Sequence, residues 1–210
     1  MSSVNNNPWI WKYEKKLDPD FCRHVIRKFD RDFNLYHGIT LGDKPQYTRK
    51  ISTDLAITNL PAWEKEDKIF GEHLHGGLDA FWNYCDDKLL GYKLDFDYPI
   101  DDSGYQIQRS KGGEGKYDWH HDAFYDPNAF DWCEEFGPAK RYFTFIWYLN
   151  DVPGPGGYTE FYDGTQIQPE EGQMIIFPAS HIFIHRGVKP PVGQDKYICT
   201  GWIYHPMNQS

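Results

Sequence analysis

Residues 117–122 read Tyr-Asp-Trp-His-His-Asp. His120 and Asp122 stand two apart, and on an extended strand residues i and i+2 project to one face. An imidazole and a carboxylate can therefore reach one ion there, with His121 pointing the other way. Two donors hold a metal poorly, so a third must come from a distant stretch. His181 and His185 are the candidates, in Ser-His-Ile-Phe-Ile-His-Arg-Gly-Val. One carboxylate plus two imidazoles is the donor set of non-haem Fe(II) sites that keep open positions for other ligands. Zinc accepts the same donors, so their types alone leave the metal open. In a chain with nine histidines, a lone His-x-Asp is also compatible with plain surface polarity.

A second feature lies downstream. Lys196 heads the aromatic, β-branched run Lys-Tyr-Ile-Cys-Thr-Gly-Trp-Ile-Tyr. By period two, Lys196, Ile198, Thr200 and Trp202 share one face. A lysine at the start of an apolar strand ordinarily snorkels to solvent. Should that face line a pocket, Lys196 becomes a buried cation that requires an anion, and the far carboxylate of a dicarboxylate would serve.

These groups need a scaffold, and the apolar periodicity outlines one. Cys22, Val25, Ile26, Phe29 and Phe33 recur at helical spacing, which predicts a helix over about 20–33. Asp18 or Asp20 can cap it, with Pro19 in its first turn. Phe70, Leu74, Leu78, Phe81 and Cys85 predict a second helix over about 62–85, interrupted in propensity by Gly76-Gly77. Residues 38–60 are turn-rich and fit short strands or a loop. After Asp101-Asp102 the period changes. Strands are expected at 105–109, 141–149, 158–162, 174–177, about 182–188 and 196–204, with Gly154-Pro-Gly-Gly157 as a turn. Several short strands separated by turn signals point to a sandwich or jelly roll with helices on one face.

Composition sets outer limits. The chain has 210 residues, which argues for one domain with a core of its own. Its 22 basic and 31 acidic residues give a net charge of −9, an unfavourable balance for binding nucleic acid. No apolar run is long enough to span a bilayer, and the N-terminus lacks the pattern of a secretory signal. Cys22, Cys85, Cys133 and Cys199 are widely spaced, with no CxxC pair, which argues against a zinc ribbon. They are read as reduced core residues, and the expected location is cytoplasmic. The acidic stretch at 126–135 is expected to be an exposed loop.

Five segments in register resemble a known family, the Fe(II)- and 2-oxoglutarate-dependent dioxygenases, and within it the prolyl-hydroxylase-like group. Gly115-Lys-Tyr-Asp-Trp-His-His-Asp122 is similar to the family's Gly-x-x-Tyr-x-x-His-x-Asp. Arg141–Asn150 is similar to the strand that follows, and Gly156-Gly-Tyr-Thr-Glu-Phe161 to a Gly-Gly-x-Thr segment. His185-Arg-Gly-Val resembles the distal histidine motif, and Thr200-Gly-Trp202 the closing strand. The resemblance covers about residues 105–204.

It implies an α+β fold with a double-stranded β-helix (jelly-roll) core over about 100–205, helical support over about 17–90, and 1–210 as a single domain. His120, Asp122 and His185 match the iron ligands; the His-Arg-Gly-Val context and the spacing to Lys196 favour His185 over His181. Lys196 matches the residue that pairs with the C5 carboxylate of 2-oxoglutarate. Tyr148 and Thr200 match positions that bond the same carboxylate in some members. Trp202 and Arg141 match substrate-side positions, although each is also plausible as ordinary strand packing. Related enzymes often carry a Tyr about ten residues before the first ligand, where Ser110 stands here. The implied cofactors are Fe(II), 2-oxoglutarate, O2 and ascorbate. The implied activity is hydroxylation of a C–H bond, foremost in a prolyl residue of a peptide or protein, with 2-oxoglutarate decarboxylated to succinate and CO2. A hydroxylase of a free amino acid or other small molecule, a non-catalytic jelly-roll binding module and a zinc hydrolase are the competing readings; the last leaves Lys196 without a role.

Overall fold

Two helices precede most of the strands. Asp18 caps the first, α1 (Pro19–Phe29), its carboxylate accepting from the backbone N–H of Asp20 and Phe21, with Pro19 in the first turn and Arg27 and Lys28 in the last. α1 ends four residues short of the expected Phe33, and Phe33 is fully exposed rather than part of the apolar stripe. The reason is local. Asp32 accepts the indole N–H of Trp63 and the backbone N–H of Asn34, which turns the chain away from the helix axis. The second helix, α2 (Glu64–Tyr84), follows a 3-10 turn at Pro61–Trp63. Phe70, Leu74, Leu78, Phe81 and Cys85 are buried, as their spacing predicts. The helix continues through Gly76-Gly77, and Gly77 lies against Met174, whose methyl a Cβ there would meet.

The computed structural model describes residues 7–39, 48–90, 101–126 and 139–206. Most of the acidic stretch at 126–135, Cys133, and part of the 38–60 region lie outside these residues. The described strands are β1 (Trp11–Lys12), β2 (Tyr36–His37), β3 (Lys50–Ile51), β4 (Thr53–Ala56), β5 (Asp101–Asp102), β6 (Gln106–Ser110), β7 (Lys116–His120), β8 (Tyr125–Asp126), β9 (Ala139–Tyr148), β10 (Thr159–Phe161), β11 (Gln166–Ile167), β12 (Met174–Pro178), β13 (His185–Gly187) and β14 (Lys196–Pro206). They form two antiparallel sheets. The major sheet runs β1-β12-β9-β14-β6-β4-β2, with β5 beside β14 and β8 beside β9; the minor sheet runs β11-β10-β13-β7-β3.

The major sheet buries both faces. Outward, Leu55, Ile107, Phe145, Trp147, Met174 and Cys199 pack on Val25 and Phe29 of α1 and on Phe70, Leu74 and Phe81 of α2. Inward, Ile146, Tyr148, Ile175 and Phe177 meet Phe161 and Ile167 of the minor sheet. This is the expected α+β jelly roll with helices on one face. Cys22, Cys85 and Cys199 are buried free thiols. Burial pushes Cys22 up to about 12 and Cys85 up to about 11, which makes them inert packing groups at neutral pH. Among the described residues no helix is long and apolar enough to cross a membrane.

Candidate active site

The site is built on the pairing of β7 with β13, which sets His120 directly opposite His185. Their ring centroids are 4.2 Å apart. Asp122 follows two residues later, with one carboxylate oxygen 3.8 Å from His120 Nε2 and the other 3.6 Å from His185 Nε2. One donor atom from each residue lies within 4.8 Å of the others. His181 is elsewhere: its Nδ1 is 3.3 Å from Nε2 of His121, in an exposed pair. His185 thus joins His120 and Asp122, and His181 does not.

Backbone and hydroxyl groups orient all three donors. His120 Nδ1 is 2.8 Å from the Asp118 carbonyl, and His185 Nδ1 is 3.0 Å from the Phe183 carbonyl. A carbonyl only accepts, so each Nδ1 carries the proton and each Nε2 turns its lone pair toward the shared point. Thr144 Oγ1 donates to Asp122 at 2.8 Å. Burial, reinforced by His185 next to it, pushes His120 down to about 3. Burial alone would raise Asp122, but His185, His120 and the Thr144 hydroxyl outweigh it and hold its carboxyl below the usual range. A carboxylate beside a neutral imidazole, with both Nε2 atoms turned inward, is a donor set that fits a divalent cation.

Lys196 lies at the end of β14, opposite Ser110 of β6, and is 4% exposed. Its ammonium does turn inward rather than snorkelling. No described carboxylate lies within ion-pair distance of it, and burial pushes it down to about 8. A Cβ added to Gly187, two residues from His185, would sit 3.7 Å from Lys196 Nζ, so the cation and the histidine share one interior. Gly187 is in turn paired with Thr159, whose hydroxyl accepts from Tyr148 Oη at 2.8 Å. Tyr148 is fully buried. Thr200 is also buried and spends its proton on the Phe145 carbonyl at 2.8 Å.

Trp202 and Arg141 are half-buried and belong together. The Arg141 guanidinium lies 3.4 Å from the Trp202 ring centroid and 5.0 Å from that of Phe124. Arg141 Nε also donates to Tyr204 Oη at 3.3 Å. The Trp202 indole N–H is buried without a hydrogen-bond partner among the described residues. A groove of about 650 Å³ runs past Arg141, lined among others by Phe124, Phe143 and His181.

Three contributors escaped the sequence reading. Thr144 orients Asp122 from β9, and nothing in a β-branched strand sets this Thr apart. Thr159 stands in the Gly-Gly-x-Thr segment, which did carry a signal. Tyr117 stacks on His120, with centroids 3.6 Å apart and planes 17° apart. Period-two alternation puts residues 117 and 120 on opposite faces. A β-bulge reverses this, because three residues of β7 span two of β13 between the His120–His185 and Tyr117–Gly187 pairs.

The family model of the 2OG-Fe(II) oxygenase superfamily matches residues 105–204, the stretch that holds every group just described. No curated protein matches the sequence. Among solved structures, the fold is similar to a viral collagen prolyl hydroxylase from Paramecium bursaria Chlorella virus-1, solved with 2OG. That similarity has 20% identity and a TM-score of 0.58, over 99% of this chain and 100% of that one. A Trichoplax adhaerens prolyl hydroxylase, solved with a peptide fragment of the hypoxia inducible factor oxygen degradation domain, aligns at 16% identity and a TM-score of 0.67, over 96% of this chain and 85% of that one. A Pseudomonas putida prolyl-4-hydroxylase aligns at 17% identity and a TM-score of 0.58, over 92% and 91%. The matched segment, the two-sheet fold and the converging His-Asp-His donors agree: residues 105–204 match the 2OG-Fe(II) oxygenase superfamily, an enzyme family, and the chain folds like solved prolyl hydroxylases.

Proposed function

We propose that this chain, acting as a single unit over 1–210, hydroxylates a C–H bond of a prolyl residue in a peptide or protein, and that 2-oxoglutarate is decarboxylated to succinate and CO2 in the process. His120, Asp122 and His185 would hold Fe(II). When bound, the metal and the keto acid supply the oxygen-activating chemistry that protein side chains lack. The chain's own residues bind, orient and exclude water. Lys196 pairs with the C5 carboxylate of 2-oxoglutarate, with the Tyr148–Thr159 hydroxyls and Thr200 on the same inward face. Trp202 and Arg141 line the substrate side, where the free indole N–H is a donor for a substrate carbonyl. The guanidinium above the indole holds the ring in place.

The observation that carries this reading is a juxtaposition. A three-donor cluster and a buried cation with no carboxylate partner among the described residues lie close together, with Gly187 beside the Lys196 ammonium and two residues from His185. A ligand that chelates with one end and presents a carboxylate at the other satisfies both. A zinc hydrolase leaves Lys196 uncompensated. An extended peptide fits across the mouth, along the groove beside Phe124 and Arg141. Ascorbate would keep the metal reduced, and the free thiols fit a reducing, cytoplasmic setting.

A second reading, hydroxylation of a free amino acid or other small molecule, draws on Ser110. It stands directly opposite Lys196, where the resemblance leads one to expect a Tyr.

Anaerobic addition of Fe(II) and 2-oxoglutarate should produce a weak visible charge-transfer band, which Asp122→Ala abolishes. With a panel of proline-containing peptides, succinate should form and one peptide should gain 16 Da, in line with one added oxygen. Succinate at background with every peptide, while the band persists, turns the assignment to a small-molecule substrate or a binding module. No band at all removes the oxygenase assignment.

A further inference from the structure

We propose that Lys50 and Asp54 are positioning residues for the metal site, a buried ion pair that holds Tyr117 against His120 and thereby fixes the imidazole of the first ligand. The proposal rests on reading His120, Asp122 and His185 as metal ligands.

The argument starts from chain path. β3 pairs with β7 of the minor sheet, and β4 pairs with β6 of the major sheet. The chain therefore crosses from one sheet to the other at Ser52. Lys50 and Asp54 stand on either side of the crossing, and their side chains meet at 2.7 Å with exposures of 4% and 0%. Ser52 Oγ donates to the second carboxylate oxygen, also at 2.7 Å. The backbone of Gly38 closes over the group; a Cβ there would collide with Ser52 and come within 2.9 Å of the Lys50 side chain.

A buried ion pair is a poor stabilising device, because desolvating two charges offsets most of their attraction. What this pair does have is a direction. Lys50 sits opposite Tyr117 in the β3–β7 pairing, and its ammonium is 5.3 Å from the Tyr117 ring centroid. The same ring stacks on His120 at 3.6 Å. Asp54, Lys50, Tyr117 and His120 thus form one column from the major sheet to the donor cluster. The Asp118 carbonyl holds one edge of the imidazole, and the Tyr117 ring holds one face. Together they restrict the torsion that would swing Nε2 away from Asp122 and His185. A site held this way is organised before the metal arrives.

The test is Co(II) binding to the full chain without substrate, followed by its visible absorption. Lys50→Met and Tyr117→Leu should each weaken Co(II) binding roughly tenfold, the lower end of the effect of losing a group that orients a ligand, and should alter the spectrum. The double variant should bind no worse than either single one, because both act through one stack. Lys50→Arg should restore the wild-type affinity and spectrum. At saturating metal, the 2-oxoglutarate KM should stay unchanged in all of them, which separates this effect from general loosening. Folded Tyr117→Leu that binds Co(II) with wild-type affinity and spectrum overturns the proposal, even where Lys50→Met fails to fold. Additive losses in the double variant overturn it as well. Failure of the wild-type chain to bind Co(II) removes the metal reading itself, a different outcome from either of these.

Discussion

The two faces of the major sheet come from the same strands and do opposite things. On β14, Tyr197, Cys199 and Ile203 turn outward into the helix-packed core, while Lys196, Ile198, Thr200 and Trp202 turn inward. On β9, Phe143, Phe145 and Trp147 face out, and Thr144, Ile146 and Tyr148 face in. The outer face is a continuous aromatic contact, with Trp147 at 5.1 Å from Phe70 and 5.2 Å from Phe145 between ring centroids. The inner face mixes apolar packing with a lysine, hydroxyls and the support of a carboxylate. Strand alternation thus lets one backbone carry stability on one side and chemistry on the other, and the two should respond separately to substitution.

Trp147→Ala tests that separation most severely. Emptying this outer position should cost about 3–5 kcal/mol of folding stability. It should leave the Co(II) affinity of the folded fraction unchanged, as read by denaturant titration with and without metal. A collapse of metal binding in folded protein would mean the faces are coupled.

Lys196→Met is the converse. Removing one partner of a buried charge pair should weaken 2-oxoglutarate binding by about 2–5 kcal/mol, measured calorimetrically on metal-loaded protein. The melting temperature of the ligand-free chain should hold or rise, because an uncompensated buried cation is lost. A fall in melting temperature with unchanged binding would reassign Lys196 to the scaffold.

The pH response sharpens the same point. Lys196 is pushed from 10.5 to about 8 in the folded chain. Between those values the unfolded state binds the extra proton, so stability of the ligand-free protein should rise with pH, by up to about 1.4 kcal/mol per unit. Binding of 2-oxoglutarate requires the charged form and should weaken above about pH 8, by up to about tenfold per unit. Lys196→Met should flatten both profiles.

Phe33→Ser belongs to neither face. Phe33 sits at a helical spacing but is fully exposed, so its loss should change stability by less than about 0.5 kcal/mol. A larger cost would place it in a contact that its exposure does not suggest.

Much of this architecture was legible because it depends on local periodicity. The apolar stripe of α2 and the strands β9, β10, β12, β13 and β14 follow from spacing alone, and Asp18 is one of the two caps that residue type offers. The early short strands did not, since a two-residue strand such as β3 has no period to read and exists only because β7 offers it a partner. The end of α1 was misjudged for a similar reason: Asp32 bonds to Trp63, a residue 31 positions away.

The donor types were equally plain in the chain: a His-x-Asp pair, two later histidines and a lysine at the head of an apolar strand. Residue type and spacing determined that a metal and an anion were possible. The resemblance already favoured His185 as the completing histidine; how it reaches the pair, whether Lys196 is buried, and how Tyr117 comes to face His120 were decided only in three dimensions. The first depends on the register between β7 and β13, the second on the sheet that covers β14, and the third on one extra residue that breaks the alternation of a strand. Each arises from pairing between distant segments, and spacing along a single segment does not encode it.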